Sequence, residues 1–547
     1  MFVFFAIIFV ASGLTLVYKV SLAFTVEVPA PGGTLREGVI GLPQFINPLL
    51  AVTGAGQDLT QLIYSGLVKK NPDGSYSPDL ATYTISPDYK TYTFVLRDNV
   101  FFHDGKPVTA DDIEFTLTKA VDPAIKSPKR INWEGVTIQK INDTTIQFTL
   151  KQPYAFFLEN ATLGILPKHI WNSVSDDEFT FSNFNRNPIG SGPYRVEKVR
   201  TNSGGIPLSY ELDAFPKYSS PAFISHISMY FFSNEEQMLH AYRAGDIDAM
   251  NSISTTRAAE LEKEGVVVEK TVLPRIFGVF FNTNKNPALL EKEVRQALAA
   301  AIPKQRLIDD VLHGYGEAID SPLPFSFEEK DHISIATSSD NQALEGALIL
   351  EKRGWKKNAT GIFEKTINKS TVTLNVTLTT SDVPELRDMA GRIRDAWTAL
   401  GANVDLKIFE TGDLNQNVIR PRNYEALLFG EVINRDTDLY AFWHSSERND
   451  PGLNIALYTN SKVDKLLEDA RVLPEESDRI AKYKLVEQEI QADMPAVFIY
   501  SPEFVYVVPK NLNGLELQNI RDAKDRFVGI SSWYQETDNV WNIFATR

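Results

Sequence analysis

From Thr371 to Ile408 the chain lays out one structural unit in three pieces. Thr371-Val-Thr-Leu-Asn-Val-Thr-Leu378 alternates and is rich in β-branched residues, the pattern of a strand. Asp382 can then cap a helix that has Pro384 in its first turn. Leu386, Met389, Ile393, Trp397 and Leu400 recur at helical spacing, and Gly401 supplies the stop. Val404, Leu406 and Ile408 alternate again. Such a strand–helix–strand unit forces a parallel, right-handed crossover, with its ligand-accessible crevice beyond the carboxyl ends of the strands. The fold class is therefore α/β.

Other segments fit the same class. Thr109 with Asp112, and Ser233 with Glu236, are capping-box patterns that open two helices, the second leading to Gly245 and a short strand Asp246–Met250. Further helices are expected over Glu291–Ile302 and Pro303–Leu312, and from a Ser477 cap to Met494-Pro495.

Length and composition narrow the function. A chain of 547 residues holds about three or four domains' worth of material. A net charge of −15 repels phosphate backbones, so nucleic acid is not an expected partner. With Cys 0 there is no disulfide, thiolate metal site, cysteine nucleophile or lipid-modified cysteine, and His 7 supplies metal chemistry poorly. No cofactor and no metal site are expected.

Phe2 to Tyr18 carries no charge, is apolar all round and ends at Lys19. We read residues 1–24 as a membrane anchor or a signal segment. Ser21-Leu22-Ala23 offers small residues for cleavage, yet no basic stretch precedes Phe2. Either way the remainder is expected to work at the outer face of the cytoplasmic membrane or in the periplasm. Residues 25–32, running into Pro29-Ala30-Pro31-Gly32-Gly33, read as a linker.

The sequence contains no Walker-type loop, His-Glu-x-x-His, Gly-x-Ser-x-Gly or EF-hand run. Gly54-Ala55-Gly56 is only a fragment of a phosphate loop, Asp104-Gly105 reads as a tight turn with His103 on its shoulder, and Asp111-Asp112 or Asp436/Asp438 read as caps or solvated faces.

A longer pattern is more specific. Tyr64-Ser-Gly-Leu-Val68, Asp73-Gly74, Pro78-Asp-Leu-Ala81, Tyr92-Thr-Phe-Val-Leu-Arg97 and Phe102-His-Asp-Gly-Lys-Pro-Val-Thr-Ala-Asp-Asp112 occur in order. Pro188-Ile-Gly-Ser-Gly-Pro-Tyr194, Ala244-Gly-Asp-Ile-Asp248, Phe281-Asn-Thr283, Val294-Arg-Gln-Ala-Leu298, Val463-Asp-Lys-Leu-Leu467 and Met494-Pro-Ala-Val-Phe-Ile-Tyr500 follow. This run resembles the family 5 extracellular solute-binding proteins, the oligopeptide-, dipeptide- and nickel-binding proteins of ABC importers, over nearly everything after residue 32.

The resemblance implies a periplasmic-binding-protein-like type II clamshell with two main lobes plus an extra subdomain. Lobe I would combine 33–71, 188–276 and 499–547, the extra subdomain would be 72–187, and lobe III would be 277–498, with hinge crossings near Arg275 and Ile499. The implied function is non-enzymatic: a monomer that captures a peptide or peptide-like ligand and delivers it to ABC permease subunits, with the N-terminal segment as its membrane contact. A ligand-binding sensor, or a chaperone-like peptide holder without a transport role, is the alternative.

The resemblance also implies contacts. Val52, Thr53 and Gly54 would offer backbone groups from lobe I; Glu410-Thr411 ends one strand of the other lobe, and Phe429-Gly430-Glu431-Val432-Ile433 ends the next. Ile433 falls where relatives often carry an aspartate for a peptide's free amine, and an apolar residue cannot neutralise an ammonium there. Glu431, two residues away on the same strand face, either substitutes for it or packs the lobe. Lys129-Arg130 stand where a tyrosine can lie beside the ligand, and cations there favour a carboxylate or other anion; a solvated basic loop is the alternative. Trp443 and Asn454 are expected along the wall, with a core role the alternative for Trp443.

Overall fold

The structure is a computed structural model that describes residues 24–323, 342–433, 438–473 and 475–542, with positions 2, 4, 5, 7, 9, 12, 13 and 15. The segment 1–24 falls mostly outside the described residues, and Asp436 does so entirely. Among the described residues no helix is long and apolar enough to cross a membrane.

A twelve-stranded mixed sheet is the frame. Its path runs Asn403–Phe409, Asn375–Ser381, Ala426–Val432, Arg275–Phe281, Ala496–Val508, Ala249–Asn251, Gly32–Ile40, Ile224–Phe232, Pro207–Ala214, Tyr194–Thr201. The strand Ala496–Val508 runs through both halves. Its start pairs with Arg275–Phe281 (Phe280 opposite Ala496) and its end with Val267–Val272 (Val267 opposite Val508). The second chain passage lies alongside, where the Leu273 N–H donates to the Pro502 carbonyl at 2.8 Å.

The buried side chains divide at the same places. One apolar cluster gathers Leu35, Phe94, Trp171, Leu273, Phe504 and Trp533, and takes nothing from between Leu273 and Phe504. Two others gather Val279, Trp397 and Tyr500, and Ile276, Trp443 and Phe498, while a fourth joins Tyr315 to Met238, Val505 and Val507 across the division. A separate four-stranded antiparallel sheet, Ala81–Ile85, Thr91–Leu96, Thr145–Thr149 and Thr137–Asn142, packs into the first cluster.

The parallel unit forms from Asn375 opposite Asn403 to Ser381 opposite Phe409, joined by the helix Pro384–Leu400. Met389, Ile393, Trp397 and Leu400 are fully buried from that helix, about 2–3 kcal/mol of transfer free energy for each large side chain. Gly401 ends it at φ 116°, a conformation that favours glycine.

Local differences have local causes. The expected strand 371–378 divides at buried Leu374, whose N–H donates to the Phe363 carbonyl: Ser370–Thr373 joins a small antiparallel sheet and Asn375–Ser381 the main one. Val383 is the cap residue in place of Asp382, and Asn234, whose side chain accepts from Gln237 N, displaces Ser233. The Thr109/Asp112 capping box forms over Ala110–Val121. Residues 25–30, read as linker, are instead the strand Thr25–Ala30, paired antiparallel with Glu536–Trp541. Its alternating Thr-Val-Glu-Val carries that pattern, and a two-stranded ribbon tolerates Pro29.

Candidate functional site

Two cavities share part of their walls. One, of about 740 Å³, is walled by the helix Gly54–Ile63 through Gln57, Thr60 and Gln61 and by the 3-10 helix Ala523–Ser532 through Phe527 and Ser531. The other, of about 630 Å³, reaches from Trp133 and Tyr154 across to Arg471. Lys129, Glu159, Thr162, Leu163, Arg521 and Lys524 line both. These sizes suit a peptide-sized or smaller solute.

Buried polar chemistry fixes the walls. Arg526 donates to both carboxylate oxygens of Asp58 and to Glu37 Oε1 at 3.0 Å, so the two wall helices are clamped by an ion pair inside the protein. The Tyr506 hydroxyl and Asn251 amide also donate to Glu37. Burial opposes the Arg526 charge, but Asp58 and Glu37 more than offset it and raise its pKa. The loop carrying Lys129 is held by Ser127, whose Oγ donates to Leu49 O at 2.7 Å and accepts from Lys129 N at 3.1 Å.

Several sequence-assigned residues gather near this space and several do not. Lys129 lines both cavities, whereas Arg130 lines neither and pairs at 3.5 Å with Glu134, which lines the smaller one. Val52 is 58% exposed, Thr53 caps the helix Gly54–Ile63 by accepting from Gly56 N, and Gly54 is exposed at that helix's start. None of the three lines either cavity, although their chain neighbour Ala51 lines the larger one. Gly56 is explained by packing rather than phosphate: a Cβ there would lie 2.5 Å from Phe45 O.

On the opposite half, Glu410 caps its own turn, accepting from Gly412 N and Asp413 N, and Thr411 is exposed. Phe429 is half-buried and Val432 exposed. Val432 pairs with Arg275, whose guanidinium donates to the carbonyl of cavity-lining Arg521 at 3.3 Å, which joins this strand end to the cavity corner.

Ile433, Trp443 and Asn454 lie inside the protein. Ile433 and Trp443 are fully buried in one apolar cluster. The Asn454 side chain donates to the carbonyls of His444 and Tyr458 and accepts from Tyr458 N, so it organises a loop. Glu431 is buried on the face shared with Leu427 and Ile433; among the described residues its Oε2 has no hydrogen-bond partner, and burial pushes its carboxyl well above the usual range.

Sequence reasoning leaves Tyr64, Asp79, Tyr218, Arg521 and Lys524 without a role. Tyr64 and Asp79 stand in the quoted motifs, line the larger cavity and each keep a buried oxygen without a partner among the described residues; burial raises both pKa values. Arg521 and Lys524 belong to no motif. His103 is structural: its ring lies 3.1 Å from Gly192 O and accepts from Gly190 N, and burial pushes its pKa down to about 4. Among the described residues no cluster could hold a metal ion.

Known proteins share this architecture. The description of bacterial extracellular solute-binding proteins, family 5 (middle), matches residues 75–451. The oligopeptide-binding protein AppA of Bacillus subtilis (strain 168) is 28% identical over 518 residues, 92% of each chain. The solved structure of AppA from Bacillus subtilis in complex with a nonapeptide superposes with a TM-score of 0.67 at 26% identity, covering 93% of this chain and 99% of that one. The ABC transporter substrate-binding protein CtaP from Listeria monocytogenes gives a TM-score of 0.75 at 26% identity, covering 92% and 100%. With the family match spanning most of the sequence and the clamshell frame in place, this chain belongs to the family 5 extracellular solute-binding proteins, the substrate-binding components of ABC importers.

Proposed function

We propose that this protein captures a peptide or peptide-like solute between two lobes outside the cytoplasm and delivers it to a membrane permease. The observation that carries the reading is the pair of confluent cavities, the smaller of which reaches from the subdomain to Arg471 of the other half, in a chain similar to a protein solved with a nonapeptide bound. Lobe I takes residues 33–71, 188–276 and 499–547, the subdomain 72–187 and lobe III 277–498. The apolar clusters that change between Leu273 and Ile276, and between Tyr500 and Phe504, support this division and a hinge at those crossings.

Capture without turnover fits the titratable groups around the cavities. Glu159 is held by Arg521, Asp525 accepts from the backbone of Arg521 and Asp522, and nearby His103 is bound to backbone. Residues 1–24 serve as anchor or signal, and N-terminal sequencing of native protein tells them apart by an intact segment or a start at Phe24.

The test is native mass spectrometry of protein purified from its own cells. We expect a retained solute of peptide-like mass that is released on denaturation and rebinds. A protein that carries nothing and takes nothing from a peptide pool, or that releases cleaved products from it, would overturn the reading. Loss of solute uptake in cells that lack the protein separates import from sensing.

A further inference from the structure

The smaller cavity carries a charge imbalance that the chain as a whole does not predict. The protein bears a net charge of −15. Yet this cavity is lined by Lys129, Lys151, Arg471, Arg521 and Lys524 against only Glu134 and Glu159. Both carboxylates are already engaged, Glu159 by Arg521 at 2.6 Å and Glu134 by Arg130. Arg471 is neutralised by Asp438 at 3.0 Å and Arg521 also by Asp522. Among the described residues, the Lys129 and Lys524 side chains make no ion pair and no hydrogen bond.

These two lysines come from distant parts of the chain and are held in place. Ser127 ties the Lys129 loop to Leu49, and Lys524 rides on the 3-10 helix that Arg526 pins to Asp58. Lys129 is half-buried, and its pKa is lowered, first by burial and then by Lys524 and Arg521. Like charges gathered in a partly dry corner are a cost unless an anion completes them. A solvated basic loop describes Arg130, which lines neither cavity, but not Lys129.

We infer that this corner is an anion subsite: a carboxylate of the bound solute seats between Lys129 and Lys524, so that acidic peptides are the preferred ligand class. The inference rests on the peptide-capture reading above and specifies its ligand. Arg471, paired with Asp438 on the opposite half, lines the same cavity, so a solute that fills it touches both halves. The carboxylate can be a side chain or the peptide's C-terminus, and the recognition chemistry is the same for both.

The experiment is isothermal titration of the full chain with Ala-Ala-Glu-Ala-Ala and Ala-Ala-Gln-Ala-Ala, each as free acid and as C-terminal amide. It is repeated in Lys129→Gln and Lys524→Gln, with melting temperatures as the folding control. Wild type should favour the more anionic peptide by about tenfold or more, the scale of one charge-assisted hydrogen bond. Each lysine variant should bring that ratio towards one. A loss on amidation assigns the C-terminal carboxylate, and a loss on Glu-to-Gln exchange assigns a side chain. Equal affinity for all four peptides in wild type overturns the inference while leaving peptide capture intact. If none of them binds, peptide capture fails by itself, and sulfate decides the subsite: melting raised by sulfate over chloride at equal ionic strength, and not in Lys129→Gln, supports it, and no difference overturns it.

Discussion

Arg526 and Asp58 face each other through two parallel hydrogen bonds, Nη1 to Oδ1 at 2.9 Å and Nη2 to Oδ2 at 2.7 Å, with neither side chain accessible to solvent. The pair joins a helix near the start of the chain to a 3-10 helix near its end, and both form walls of the larger cavity. Removing Asp58 takes away both of its hydrogen bonds and leaves the buried guanidinium with Glu37 as its remaining carboxylate. Asp58→Ala should therefore cost about 3–5 kcal/mol in urea denaturation. A loss below about 1 kcal/mol would show that the pair does not hold the walls.

Two glycines should respond in opposite directions to alanine. A Cβ on Gly190 would lie 2.0 Å from the Ile63 carbonyl oxygen, so the motif glycine is required by close approach. Gly190→Ala should destabilise by about 1–3 kcal/mol. Gly391 sits inside the helix Pro384–Leu400 with open space where a Cβ would stand. Gly391→Ala should stabilise by about 0.5–1 kcal/mol through helix propensity, measured in the same assay.

Glu431 should leave a pH signature. Burial raises its carboxyl well above the usual range, so the folded state prefers it protonated. Its contribution is fully present below the unfolded-state value near 4.5 and is lost as pH rises through the raised folded value. Wild-type stability relative to Glu431→Gln should thus fall as pH rises above about 4.5, by at most about 1.4 kcal/mol per unit. Parallel stability profiles for the two proteins would refute a buried neutral acid.

The frame is legible in the sequence where local chemistry decides it. The helix from Pro384 to Gly401 and the Thr109/Asp112 box are each set by residues within a few positions of one another. The site is legible only in part. Lys129 and Arg130 are neighbours, yet only Lys129 lines the cavity, and Arg130 at the start of the short helix Arg130–Trp133 pairs with Glu134. Lys524 and Arg521 meet Lys129 only through the fold, and no spacing in the sequence marks such a meeting. Trp443 and Asn454 are of types that line ligand walls as readily as they fill cores, and burial alone separates the two. Thr25–Ala30 reads as a linker because its strand partner lies at the far end of the chain.

Lobe closure is the most direct consequence of solute capture. The chain has no cysteine, so two introduced ones can be labelled cleanly. Leu42, just past the carboxyl end of the strand Gly32–Ile40, and Val383, just past that of Asn375–Ser381, are 46% and 38% exposed and follow strands from opposite halves. Energy transfer between dyes at Leu42→Cys and Val383→Cys should increase, reporting a shorter distance, when a peptide shown by calorimetry to bind is added. An unchanged distance at saturating peptide would contradict capture between closing lobes.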